Sequence, residues 1–350
     1  MKTCMLTGLL AMEIRDVPVP SITRETDVLL RVAVVGICGS DVHYYSTGRI
    51  GSQVVNYPFT VGHECSAVVE KIGSGVTRVR PGDRVAVEPA VSCGVCDQCR
   101  CGRPHTCRHL SFLGCPGQAA GCLSEYLVMP ERCCFPIPAT MRLEQAALGE
   151  PLSIGLYAVK LAGVAPGMKI GILGSGPIGL SILLGAHQAG IAAAYMTDKI
   201  DARNTVARLA GATWAGNPDR EDIIAAIGRT EPLLLDIVFE CCGQQAAVDQ
   251  AVELLKPGGT LMMVGIPEVD RISLPIDVAR RKEICFQNVR RQNHCLQPAL
   301  DLIAEGRIGL DFMVTHRFAF EETKAAFDLV HGYRDGVIKA MVTLANDGHV

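Results

Sequence analysis

At 350 residues, 49% hydrophobic and 20% charged, the chain is long enough for about two domains and apolar enough to bury a core in each, which excludes a disordered protein. A net charge of −3 leaves no electrostatic footprint for nucleic acid or an anionic membrane, so the expected partner is a small molecule. Sixteen cysteines follow a start, residues 1–15, in which Glu13 and Arg15 break any export-signal pattern. The cytoplasm is therefore the expected compartment, and closely spaced cysteines read as metal ligands rather than as a disulfide framework.

Taken in chain order, the first ~150 residues show short β-branched runs at 28–35, 67–72, 84–87 and 123–128, separated by turns such as Pro81-Gly82-Asp83. That texture predicts a β-rich, barrel-like domain. From about Leu156 it changes to strand–helix alternation, with strands expected at 169–173, 193–197, 235–240, 260–265 and 284–288. This is the pattern of a doubly wound parallel sheet. The segments 297–305 and 321–332 read as helices, and 337–344 as a strand. Residues 170–197 carry no Asp, Glu, Lys or Arg and resemble a membrane span in hydropathy alone. Glycines at 171, 174, 176, 179, 185 and 190 make a strand, a turn, a buried helix and a second strand the better reading.

Within the β-rich part, Cys93, Cys96, Cys99 and Cys107 form C-x2-C-x2-C-x7-C. Four thiolates complete tetrahedral zinc and leave no open position, so this site is expected to be structural. Cys101 falls outside the regular spacing and is left out. A catalytic zinc needs fewer protein ligands. Cys38, His63 and Glu64, with Glu150 further along, supply sulfur, nitrogen and oxygen donors; singly, each also suits a packing or capping role. The other eleven or so cysteines are expected to act as small core hydrophobes.

In the second part, Gly174-Ser175-Gly176-Pro177-Ile178-Gly179 follows a predicted strand and opens a predicted helix. Gly174 would make the tight turn, Gly176 would admit a pyrophosphate and Gly179 would let the helix pack on the strand, as in a dinucleotide site. A glycine turn in an unrelated α/β protein is the competing reading. Asp198, at the end of the next strand, is placed to accept from ribose hydroxyls and favours NAD over a 2′-phosphorylated cofactor, with Lys199 and Arg203 nearby.

On these residues the chain resembles the zinc-containing medium-chain dehydrogenases across nearly its whole length. It looks most like their polyol branch, the sorbitol, xylitol and L-iditol dehydrogenases. The resemblance is carried by Cys38-Gly39-Ser40-Asp41-Val42-His43-Tyr44, Gly48-Arg49-Ile50-Gly51, Gly62-His63-Glu64, Pro81-Gly82-Asp83-Arg84-Val85, Glu150-Pro151-Leu152-Ser153 and Val314-Thr315-His316-Arg317-Phe318. It implies a β-rich GroES-like catalytic domain, residues 1–156 and 290–350, and a Rossmann NAD-binding domain, residues 157–289.

The resemblance further implies a catalytic zinc on Cys38, His63 and either Glu64 or Glu150, beside the structural zinc. Ser40 would pass the alcohol proton outward, with His43 as an outer relay. Tyr44, Glu150 and Arg290 would line the substrate pocket. Cys241, Cys242, Val264, Gly265, Ile266, Asn288, Val289 and Arg290 would line the nicotinamide side, in a homotetramer. The expected reaction is NAD-linked oxidation of a secondary hydroxyl of a sugar alcohol to a ketose. The alternatives are another small alcohol (threonine, 2,3-butanediol, an aldose), or a non-catalytic NAD-binding or thiol redox sensor. Two departures stand out. Animal sorbitol enzymes lack the four-cysteine clamp, and Arg291 stands where the family often has tyrosine.

Overall fold

Two stretches far apart in sequence, Met1–Glu150 and the residues from Leu296 onward, build one unit, and Pro151–Cys295 forms the other. The computed structural model describes residues 1–344. In the first unit the largest sheet runs in the order Cys134–Pro136, Arg84–Val87, Glu64–Ile72, Asp27–Gly36, Lys339–Thr343 and Val314–Ala319, with Tyr126–Pro130 also paired to Asp27–Gly36. Asp27–Gly36 is buried along almost its whole length because both faces are covered, which suits its run of valine and leucine. Val32, Val35, Leu123, Phe327 and Val342 pack together in its core.

That central strand ends where the chemistry begins. Gly36 pairs with Glu64 on one side and Met341 on the other. A Cβ on Gly36 would lie 2.4 Å from Glu64 Oε2, so the Glu64 carboxylate occupies the space that only glycine leaves. Next to it, the residues leading to His63 are held by a second backbone ladder, with Gly121 N donating to Thr60 O, Cys122 N to Gly62 O and Leu123 N to Val61 O. At Gly121 a Cβ would sit 2.1 Å from Val61 O.

Several elements of this unit escape the sequence reading, two of them within its first 50 residues. The helix Gly39–Thr47 carries the predicted Ser40, His43 and Tyr44, and it is short and weakly patterned. The second is the hairpin of Lys2–Gly8 with Ala11–Asp16. The 123–128 expectation shifts: the strand is Tyr126–Pro130, while Ser124 makes only an isolated bridge to Thr3. The helix Leu143–Leu161 starts well before the change of texture near Leu156, and the division between units falls inside it, at Glu150 and Pro151.

In the second unit a six-stranded parallel sheet runs Trp214–Gly216, Ala193–Thr197, Lys169–Leu173, Leu235–Glu240, Leu255–Met263, Cys285–Asn288. The strands at 169–173, 193–197 and 235–240 have the expected bounds. The 260–265 strand starts earlier and stops at Met263, and the three-residue strand Trp214–Gly216 is too short to leave a pattern. Residues 177–188 form a helix between two strands. Among the described residues no helix is long and apolar enough to cross a membrane.

Gly121→Ala should drive its methyl into the Val61 backbone and displace the segment that carries His63. The expected cost is about 1–3 kcal/mol, read as a lowered Tm.

Candidate active site

The helix Gly39–Thr47 opens with Cys38 as its N-cap and Asp41 in its first turn. Asp41 Oδ2 accepts from Cys38 N at 3.3 Å, and Oδ1 accepts from Gly62 N at 3.0 Å. This one carboxylate, 1% exposed, therefore ties the cysteine's turn to the segment before His63. It also lies 3.3 Å from His63 Nδ1. An acceptor on Nδ1 leaves Nε2 as the histidine's donor, the usual outer-shell arrangement of a metal-binding imidazole. Burial alone lowers the His63 pKa, but the charges of Asp41 and Cys38 raise it well above its ordinary value. The ring also packs on Phe112, centroids 5.2 Å apart.

Cys38, His63 and Glu64 each present a ligand atom, all within 4.8 Å of one another. Thiolate, imidazole and carboxylate are a donor set that fits zinc, with fewer than four protein ligands. Glu150 is not in this close set. It lies in the helix Leu143–Leu161, buried, and its carboxyl is raised to about 8, chiefly by burial and by the neighbouring carboxylates of Glu64 and Glu88 against the charges of His63 and Lys339. Ser40 Oγ donates to Cys38 Sγ at 3.4 Å, which places the hydroxyl beside the cluster. His43 follows three residues along the same helix, half-buried. Tyr44, one turn beyond Ser40, donates through its hydroxyl to Gln53 Oε1 at 3.1 Å, and Gln53 Nε2 lies 2.9 Å from Cys115 Sγ.

Two residues here were not singled out from the sequence. Asp41 stood inside a quoted motif, and the spacing Cys38-x-x-Asp41 has the form of a capping box, a signal that marks both the helix and its first-turn acid. The second is Lys339, 2% exposed, whose Nζ donates to Glu64 Oε1 at 2.8 Å, Glu64 Oε2 at 2.6 Å and Ile37 O at 3.0 Å. Burial lowers the pKa of such an ammonium, yet Glu64 and Cys38 hold it above its ordinary value. A lone lysine in the apolar run Val337-Ile338-Lys339-Ala340-Met341-Val342 is the signal that points to it, because a buried charge requires a partner.

The four predicted clamp cysteines also converge, with all four sulfurs within 4.8 Å. Backbone N–H groups are aimed at them: Cys93 N and His109 N donate to Cys107 Sγ at 3.2 and 3.3 Å. Backbone donors from Arg108 and Cys99 lower the Cys96 thiol to about 6, and those of Val95 and Cys96 lower Cys93. Such donors favour thiolates, the form that binds zinc. Cys101 is exposed, with its thiol donating to Gln98 O at 3.3 Å, apart from the cluster. Among the described residues all sixteen cysteines are free thiols.

In the second unit the predicted cofactor residues gather at and beyond the C-terminal ends of the parallel strands. Gly174 leaves its strand at φ +112, packed against the Cys241 backbone, where the strand order reverses. Gly176 caps the helix that begins with Pro177 and Ile178, and a Cβ on Gly179 would meet Gly174 O at 1.9 Å. Asp198, just past Ala193–Thr197, accepts from Ser175 N and Ile200 N, both at 2.9 Å, with Arg203 Nη1 3.9 Å away. Lys199 points to solvent near Asp219, 3.4 Å apart. Val264, Gly265 and Ile266 follow one strand end; Asn288, Val289 and Arg290 lie at another. Glu240, also unforeseen, shapes this end of the sheet: its buried Oε1 accepts from Cys242 N at 2.8 Å and Gly243 N at 2.6 Å, and its Oε2 lies 2.7 Å from where a Cβ on Gly265 would be.

Residues 24–139 match the alcohol dehydrogenase GroES-like domain, and residues 177–305 the zinc-binding dehydrogenase domain. The sorbitol dehydrogenase of Bacillus subtilis is 34% identical over 98% of this chain and 97% of its own, and that of Gallus gallus is 37% identical over 92% and 90%. A zinc-binding dehydrogenase of Sinorhizobium meliloti, solved bound to NADP, superposes with a TM-score of 0.89 at 30% identity, covering 98% of this chain and 99% of its own. With a GroES-like unit carrying the Cys38–His63–Glu64 cluster and a Rossmann-type parallel sheet, this chain belongs to the zinc-binding alcohol dehydrogenases of the medium-chain family.

Proposed function

We propose that the chain is a zinc-dependent, NAD-linked polyol dehydrogenase. It would oxidise a secondary hydroxyl of a sugar alcohol of the sorbitol, xylitol or L-iditol type to the ketose, yielding NADH and a proton. The observation that carries this reading is the incomplete donor set Cys38, His63 and Glu64 with the Ser40 hydroxyl beside it. The names of the sorbitol dehydrogenases it resembles supply the substrate class.

Cys38, His63 and a glutamate would hold one zinc, and Cys93, Cys96, Cys99 and Cys107 a second, structural one. Bound at the first site, zinc supplies Lewis acidity that lowers the pKa of an alcohol. The chain's own groups do the rest. Asp41 fixes the His63 ring through Nδ1. Ser40 Oγ accepts the substrate proton and hands it towards His43. Glu150, buried near Glu64, His63 and Lys339, adds a further carboxyl to the surroundings of this site. Tyr44 and Arg290 are assigned to the polyol. The glycine turn and helix N-terminus take the pyrophosphate, and Asp198 takes the adenosine ribose. Lys199, Arg203, Cys241, Val264, Gly265, Ile266, Asn288 and Val289 belong to the cofactor's surroundings. The thiol-rich composition suits the cytoplasm. We infer a homotetramer, in which the edge strand Cys285–Asn288 is available to a second copy.

Purified protein should form NADH with NAD and at least one of sorbitol, xylitol or L-iditol, and a zinc chelator should abolish it. Turnover confined to threonine or 2,3-butanediol would overturn the substrate reading and leave the zinc and NAD assignments standing.

Asp198→Ala should lower kcat/KM for NAD by about 10–100-fold, the loss of charge-assisted hydrogen bonds worth about 1.5–3 kcal/mol, and should narrow the preference over NADP. An unchanged NAD/NADP ratio would remove Asp198 from cofactor selection. Cys93→Ser should lower Tm and release one zinc per chain, while its remaining zinc stays with the catalytic cluster; metal analysis checks both.

A further inference from the structure

Lys339 spends every proton of its ammonium inside the first unit. An ammonium has three N–H donors, and Lys339 directs two at the two oxygens of Glu64 and one at the carbonyl of Ile37, the residue before Cys38. The same glutamate offers an oxygen to the Cys38–His63 cluster. Its carboxylate is therefore claimed from two sides, by a lysine on one and by a metal position on the other. Both partners are almost fully buried, so no solvent screens the contest.

We propose that Lys339 is a positioning residue that keeps Glu64 a weak, releasable metal ligand, leaving room in the coordination for substrate. The inference rests on the zinc reading above and deepens it. Lone pairs that accept from Lys339 are poorer donors to a cation, and the lysine's charge offsets the carboxylate's. The buried site then keeps more positive charge than thiolate and carboxylate alone would leave it, which favours a deprotonated alcohol. Without Lys339, Glu64 becomes a full-strength ligand. The cluster then holds its metal more tightly and activates substrate less. The Ile37 contact adds a geometric role, since the same ammonium fixes the backbone entering Cys38 relative to Glu64.

The test follows zinc release from the holoenzyme to a chromophoric chelator, taking the kinetic phase that a Cys38→Ser control lacks, and the visible spectrum after cobalt replaces zinc at that site. Outer-shell partners that support a ligand are worth about 10–100-fold in metal affinity; because Lys339 competes with the metal for Glu64 instead, Lys339→Gln should act in the opposite direction, releasing zinc at least about tenfold more slowly and shifting the cobalt bands. Lys339→Arg, which keeps charge and donors, should restore both to wild type. Glu64→Gln, with the lysine in place, should change zinc release by less than about tenfold.

A Lys339→Gln protein with native circular dichroism that releases zinc as fast as wild type, or faster, would overturn the proposal. If that variant does not fold, Glu64→Gln decides: loss of the catalytic zinc would show Glu64 to be a full ligand despite Lys339, and retention would support its weakness. Neither readout needs a substrate, so the polyol reading can fail on its own panel while this one stands.

Discussion

Concentrating anionic donors in a dry interior is the constraint on which the first unit is built. A thiol, an imidazole and a carboxylate lie within 4.8 Å of one another, and two of the three residues are buried. Isolated charges of that kind are strongly disfavoured away from water, so each must find a partner or a cation. Asp41 stands behind His63, Lys339 behind Glu64, and backbone amides behind Asp41. Three glycines serve the same end: Gly36 leaves room for the Glu64 carboxylate, Gly62 takes a positive φ of +99 just before His63, and Gly121 lets its backbone approach Val61. The long buried strand Asp27–Gly36 is the frame: it delivers the turn to Cys38 at its end and pairs with the strands that carry Glu64 and Lys339.

The second unit solves a different problem with uncharged means. Its glycine turn lies at the strand ends of a parallel sheet, where chain directions agree and turns collect on one side. Gly179 and Gly265 are required by backbone and carboxylate atoms that leave no space for a methyl, and Gly174 by its positive φ of +112. Glu240 is the exception to this neutral design, and it works locally, by gathering the amides of Cys242 and Gly243 into a tight turn. Asp198, with a side chain only 10% exposed, is held in place by the loop amides of Ser175 and Ile200.

Much of this was legible in residues alone, for reasons that are physical. The strand at 193–197 is uncharged, that at 169–173 is uncharged after Lys169, and that at 235–240 is apolar but for Asp236 and the closing Glu240, so pattern and structure coincide. The clamp cysteines are close in sequence and must be close in space. The opposite holds for Glu64 and Lys339, whose pairing spans 275 residues and leaves no spacing to read. The helix Gly39–Thr47 was missed because its stability comes from the Asp41 cap and tertiary contacts, with little amphipathic patterning. Trp214–Gly216 and the early start of Leu143–Leu161 were missed for related reasons: one is too short for a period, and the other carries Pro151 inside it, a residue that normally marks a helix boundary.

The placement of Lys339 also orders events during synthesis. The clamp cysteines leave the ribosome within fifteen residues of one another and can chelate as soon as they emerge. The second cluster has Cys38, His63 and Glu64 early, but its counter-charge lies on a strand that enters the sheet beside Asp27–Gly36 and is made 275 residues after Glu64. Until then Glu64 has no buried cation to meet, and the strand it lies on has reason to stay hydrated. The loop that must close is long, yet its entropic cost grows only as the logarithm of its length. Assembly of the first unit is thus two-staged: four neighbouring thiols that can meet on the nascent chain, and the Cys38, His63 and Glu64 cluster, whose counter-charge comes from a strand made much later.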